Sequence, residues 1–146
     1  MNALLLVALF SGIPFSSAAP SADAWKATVY GEDWKVEDAR VKEKIPALKK
    51  HEGIKPTDAD MQWLKTLAKE RRAQVDAALD AYYINLGKVT PHWATAKHEI
   101  FAAREVDGYI LLWVQEPEIK DGGRSVIYSK EKDKIVSDFW DGGIRG

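Results

Sequence analysis

The sequence predicts an α+β protein: one long helix packed on a four-stranded antiparallel meander, with a short helix ahead of it. Three observations carry that prediction. A stretch near the middle of the chain keeps an apolar stripe at helical period for roughly eight turns. Four apolar runs rich in β-branched and aromatic residues follow it, separated by turn residues. One of those turns is Asp107-Gly108, a pair that accepts the positive backbone angles of a tight hairpin. A helix followed by hairpin-linked strands reads as a rod laid across a sheet.

Taken in order, Trp25 to Tyr30 reads as a short strand, with Trp25, Ala27 and Val29 on one side. Val36 to Ile45 reads as a short helix carrying Val41 and Ile45, interrupted by Pro46 and followed by a loop through Gly53 to Pro56. Thr57 to Asp60 offers an N-cap hydroxyl with an acid three residues later, a variant of the capping box. From there Met61, Leu64, Leu67, Val75, Leu79, Tyr82 and Leu86 share one stripe, and Gly87 suits a C-terminal cap. Together they predict one helix from about Asp58 to Asn85. Residues 91–106 tolerate a helix through Trp93, Ala96, Ile100 and Phe101. The Asp-Gly hairpin signal favours a strand from about Ala96 to Val106. Tyr109 to Glu116 is the second strand, ended by Pro117; Arg124 to Ser129 is the third; Ile135 to Trp140 is the fourth, after the charged turn KEKDK.

The chain has 146 residues, with 21 Lys and Arg against 22 Asp and Glu, a formal charge of -1. That balance leaves no broad basic field for nucleic acid or an anionic membrane. Ala3 to Phe10 is an apolar run followed by the helix breakers Gly12 and Pro14 and by Ser16-Ser17-Ala18. This is the layout of a secretory signal peptide spanning residues 1–18, with a single α+β domain over residues 25–146. No Lys or Arg precedes the run, a departure from the usual pattern, and Ala22-Asp23-Ala24 is a second cleavage candidate. A buried N-terminal element is the competing reading. The run is too short to span a bilayer. With no cysteine, a lipid-anchored thiol, thiol catalysis and thiolate metal sites are excluded. The expected location is the periplasm or the cell exterior.

The strand YILLWVQ carries the sharpest functional question. Ile110, Leu112 and Val114 point one way and Tyr109, Leu111 and Trp113 the other, so both faces are apolar where a water-exposed sheet keeps one polar. The long helix covers one. The other is covered either by the N-terminal segment with Trp25, Trp34 and Val41, or by a partner protein, a second copy or an apolar ligand. Tyr109, Trp113, Tyr128 and Trp140 are the candidate contact residues. Arg71 lies within the helix stripe; it either lays its stem on apolar surface or sits at the base of a pocket, paired with Glu99 or Glu105 or holding an anionic ligand. Arg124 and Arg145 each follow an Asp-Gly-Gly triplet; the triplets read as turns, with anion capture as the alternative. His92 and His98 are six apart, which suits no helical zinc pair, and no nucleophile-elbow sequence surrounds Ser125, Ser129 or Ser137. No catalytic residue, cofactor or metal is predicted.

Trp113-Val114, Gly122-Gly123, Val126-Ile127-Tyr128 and Lys134-Ile135-Val136 together resemble the end of small exported bacterial domains of cystatin-like shape. Among these are immunity proteins with a cone-shaped, nuclear-transport-factor-like fold, and the last hairpin is also similar to PepSY-type domains. The resemblance covers Tyr109 to Val136, with EKDK standing where an acidic-glycine turn is usual. It implies a non-catalytic protein that binds and blocks a toxin or enzyme in the periplasm, and it assigns no binding residue. The sequence thus points to an exported inhibitor or immunity-type protein. A small-molecule or enzymatic pocket with Arg71 at its base, and an envelope protein self-associating through the sheet, are the alternatives.

Overall fold

The computed structural model describes residues 23–50, 54–90, 97–118 and 123–139. The expected signal peptide, His51, His92, Trp140, Arg145 and all but Gly123 of the two Asp-Gly-Gly triplets lie outside them. Among the described residues four helices precede four strands: α1 (Trp25–Tyr30), α2 (Trp34–Lys44), α3 (Asp58–Lys65), α4 (Lys69–Val89), β1 (Glu99–Val106), β2 (Tyr109–Gln115), β3 (Gly123–Ser129) and β4 (Lys134–Asp138), with a 3-10 turn at Pro46–Lys50 after α2. The strands form one antiparallel meander in the order β1-β2-β3-β4, so the predicted α+β class holds. Among the described residues no helix is long and apolar enough to cross a membrane.

The helical part of the chain departs from expectation. Trp25–Tyr30 is a helix rather than a strand. Its β-branched residues favour extension, but helical spacing sets Trp25 above Val29 and turns Val29 and Tyr30 onto α4, burying both. Gly31, at φ 109, ends the helix in a conformation that side-chain-bearing residues rarely adopt. The expected long helix is also two helices. Thr57 opens α3 with the predicted capping box: Asp60 N–H donates to its hydroxyl (3.3 Å), and its own N–H donates to Asp60 Oδ2 (2.8 Å). The helix stops where Thr66 turns its hydroxyl onto the Trp63 carbonyl (2.7 Å), and Ala68 is extended at ψ 142 before α4 begins. Residues 69–74 carry no large apolar side chain, so nothing in that turn holds the two segments collinear. The break lets α3 lie along β1 while α4 packs on α1 and β4. Gly87 sits inside α4, which runs on to Val89.

The β1–β2 connection is the predicted tight turn, with Asp107 at φ 49 and Gly108 at φ 86. β2 is buried on both sides, from Tyr109 through Val114. On one face Ile110, Leu112 and Val114 join Val126 and Tyr128 of β3 against Val75, Leu79, Tyr82 and Leu86 of α4. On the other, Leu111 and Trp113 join Ile127, Val136 and Phe139 against Val41 and Ile45. The second cover is therefore the chain's own N-terminal segment. Trp25 and Trp34, expected on this face, pack instead on the α4 side. Each of Val41 and Ile45 contributes about 1.5–3 kcal/mol by burial. Polar ties fix α2 in place: Ser137 donates to Asp38 (2.7 Å), and the buried Glu37 carboxylate meets Lys132 of the β3–β4 turn (3.3 Å).

Candidate binding site

The sheet's second face, where a partner was one expectation, is closed. Trp113 has no exposed surface. Its indole N–H donates to the Ile54 carbonyl (3.0 Å), the Arg104 guanidinium lies 5.3 Å from its ring centre, and Phe139 meets it edge-on at 5.5 Å. Arg104 is itself held by both oxygens of Asp60 (2.8 and 2.6 Å), so the capping acid of α3 also clamps that helix to β1. This hydrogen-bonded guanidinium holds the Asp60 carboxyl below the usual range.

The residues singled out from the sequence divide between the two faces. Tyr109 and Trp113 are on the α2 side. Arg71, Arg124 and Tyr128 are on the α4 side, but not in one place. Arg71 donates to the Tyr128 hydroxyl (3.1 Å), which donates in turn to Asp133. Neither expected carboxylate is its partner, and Glu105 pairs with Lys130 (2.8 Å). Arg124 donates through Nε to Glu116 (2.7 Å), and Tyr83 donates to the same oxygen (2.6 Å). Burial, with that hydrogen bond second, raises the Tyr83 hydroxyl far above its ordinary value. Tyr82 lies beside Tyr30 and Arg124, and burial pushes it up to about 12. Tyr30 donates to Asp138. His98 stacks on Tyr83 with ring centres 4.1 Å apart and sets Nε2 3.0 Å from Asp80. These groups form a polar layer between α4 and the sheet in which the one buried carboxylate among them, Glu116, already has its donors. Among the described residues no cluster of three His, Asp or Glu is arranged to hold a metal ion.

Among the described residues the fold leaves open a groove of about 600 Å³ between α1, α4 and the start of β4. Its floor is Val29, Tyr30, Ala78, Tyr82 and Ile135. The α4 wall is low because Ala73, Ala77 and Ala81 follow one another every fourth residue. Gly31 matters at the rim: a Cβ there would stand 2.9 Å from the Lys134 amine, which donates to the Tyr30 carbonyl (3.0 Å) and lies 3.3 Å from Asp33. Lys134 and Asp133 are thus both engaged within the fold. Thr28 on α1 and Gln74 and Asn85 on α4 line the groove with no side-chain partner among the described residues. Apart from Asp133 and Lys134 the lining is uncharged and largely apolar, edged by amide and hydroxyl groups.

None of the described residues chosen from the sequence, Arg71, Tyr109, Trp113, Arg124 and Tyr128, lines this groove. Reading α1 as a strand hid one wall. The other was visible in principle, as alanines at positions 73, 77 and 81 on the solvent side of an amphipathic helix. No family model matches the chain, and neither a curated protein nor a solved structure matches it.

Proposed function

We propose that this chain is an exported, non-catalytic protein of the inhibitor or immunity type that binds a segment of another protein in the groove between α1, α4 and β4. The groove itself carries the reading, through its shape and its neutral lining. Gln74 and Asn85 are eleven residues apart on one helix, about 16 Å along its axis. That is the span of roughly five residues of extended chain. Two amides at that spacing suit backbone N–H and C=O groups, and the alanine wall admits a backbone closely. Lys134 and Asp133 stand together at one end of the lining, tied to Tyr30 and Tyr128, and the rest of the groove carries no charge to draw an ionic ligand. The buried ionisable groups hold the fold together, which favours recognition over chemistry. The likeness of Tyr109 to Val136 to immunity proteins points the same way.

The test is capture from envelope extract by three forms of the chain. Thr28→Trp places an indole in the groove from an exposed helix position, and Val36→Arg changes an exposed site on α2, away from it. Wild type and Val36→Arg should retain the same protein, and Thr28→Trp should lose it while staying folded. Equal retention by Thr28→Trp overturns the reading.

A further inference from the structure

Rings follow one another from the surface of α1, through the polar layer, to the start of β1. Trp25 is half-buried, with its ring centre 6.0 Å from that of Tyr30. Tyr30 is 5.9 Å from Tyr82, and Tyr82 meets Tyr83 edge-on at 5.2 Å. His98 closes the row, face to face with Tyr83 at 4.1 Å. Such separations are usual for packed aromatic pairs. What sets this row apart is its chemistry. In a chain without cysteine, tryptophan and tyrosine are the side chains that give up a single electron most readily. A phenol does so easily only when a base takes its proton in the same step. Tyr30 donates to Asp138 and Tyr83 donates to Glu116 (2.6 Å), so both have a carboxylate already in place. On the sheet's other face Trp113 meets Phe139, a ring that resists oxidation.

We propose that Trp25, Tyr30, Tyr82 and Tyr83 form a relay that carries an oxidising equivalent from the surface to a buried phenol. The co-reactant is a one-electron oxidant that reaches Trp25 from solvent. It takes one electron from the indole and is itself reduced. Tyr30 returns an electron to Trp25 and passes its proton to Asp138, which leaves a tyrosyl radical. Tyr83 then sends an electron to Tyr30 across the Tyr82 ring. In that step the Tyr83 proton moves to Glu116, and Asp138 gives its proton back to Tyr30. The net change is one electron lost to the oxidant and one proton shifted from Tyr83 to Glu116. The surface indole is thereby restored before a second oxidation destroys it. The radical waits on Tyr83, which is 4 % exposed, until an electron returns along the same path.

The absence of cysteine makes the test clean. Asp23→Cys, at an exposed position two residues before Trp25, takes a single tethered ruthenium photo-oxidant. Flash oxidation is followed by transient absorption and electron paramagnetic resonance. In the tethered chain an indole radical should give way to a tyrosyl radical, more slowly in deuterium oxide because protons move. Adding Trp25→Phe or Tyr30→Phe should abolish the tyrosyl signal, and with Tyr30→Phe the indole radical should persist. Adding Tyr83→Phe should move the tyrosyl signal to a ring of different geometry and shorten its life. Thermal melts check that each variant is folded. An indole radical that never passes to tyrosine overturns the proposal, and so does a tyrosyl yield unchanged by Tyr30→Phe. Phenylalanine keeps a ring on the groove floor in every tyrosine variant, so failure of the relay is distinguishable from failure of the groove reading.

Discussion

Replacing Glu116 tests the polar layer under α4. Its carboxylate is 3 % exposed and accepts from Tyr83 (2.6 Å) and from Arg124 Nε (2.7 Å) on one oxygen. In Glu116→Ala the Tyr83 hydroxyl loses its acceptor, and Arg124, whose side chain is only 20 % exposed, keeps its charge after losing the Glu116 carboxylate. A hydrogen bond to a charged group is worth about 1.5–3 kcal/mol, and breaking one side of a buried pair costs about 3–5 kcal/mol. The expected loss is therefore about 3–5 kcal/mol for Ala, and about 1–2 kcal/mol for Gln, which keeps one acceptor oxygen. Glu116→Leu combined with Arg124→Met should recover much of that loss, because a well-packed apolar pair removes both desolvated charges. Urea unfolding followed by tryptophan fluorescence measures all four proteins, with the midpoint moving and the slope unchanged. An Ala variant within about 1 kcal/mol of wild type would refute the idea that this carboxylate organises the layer.

Acid and alkali probe two other sites. Asp60 is held below its ordinary value by Arg104, so it contributes stability that is fully present above the unfolded value of about 3.9 and is lost as pH falls through the folded one. Thermal melts should fall on acidification, and in Arg104→Met that part of the fall should shrink. Tyr82 titrates in the other direction. It is raised to about 12, so its contribution is complete below about pH 10 and fades as pH climbs towards 12. Ultraviolet titration should show tyrosinate appearing late and together with unfolding, and early reversible ionisation of every tyrosine would contradict the burial.

The legible parts of the fold were those set by local chemistry. The Thr57–Asp60 box, the Asp107-Gly108 turn and the doubly apolar run of β2 each announce themselves within a few residues. Trp25–Tyr30 misled because its β-branched side chains favour a strand, while docking against α4 makes it a helix. The break at Thr66–Ala68 was hidden because Leu64 and Leu67 stay in phase with the stripe that follows; only the different directions required by β1 and β4 separate the two helices. The groove was illegible for a related reason. It lies between α1 and β4, more than a hundred residues apart, and its α4 wall consists of alanines, which signal little by themselves.

Hydrogen exchange at the Trp113 indole bears most directly on whether the chain seals its own sheet. That N–H donates to Ile54 in a site with no exposed surface. By NMR it should exchange as slowly as the most protected β2 amides, through global unfolding alone. Exchange at the rate of a free indole would mean that α2 and the Ile54 segment do not close over the strand, and the second face would again need a partner.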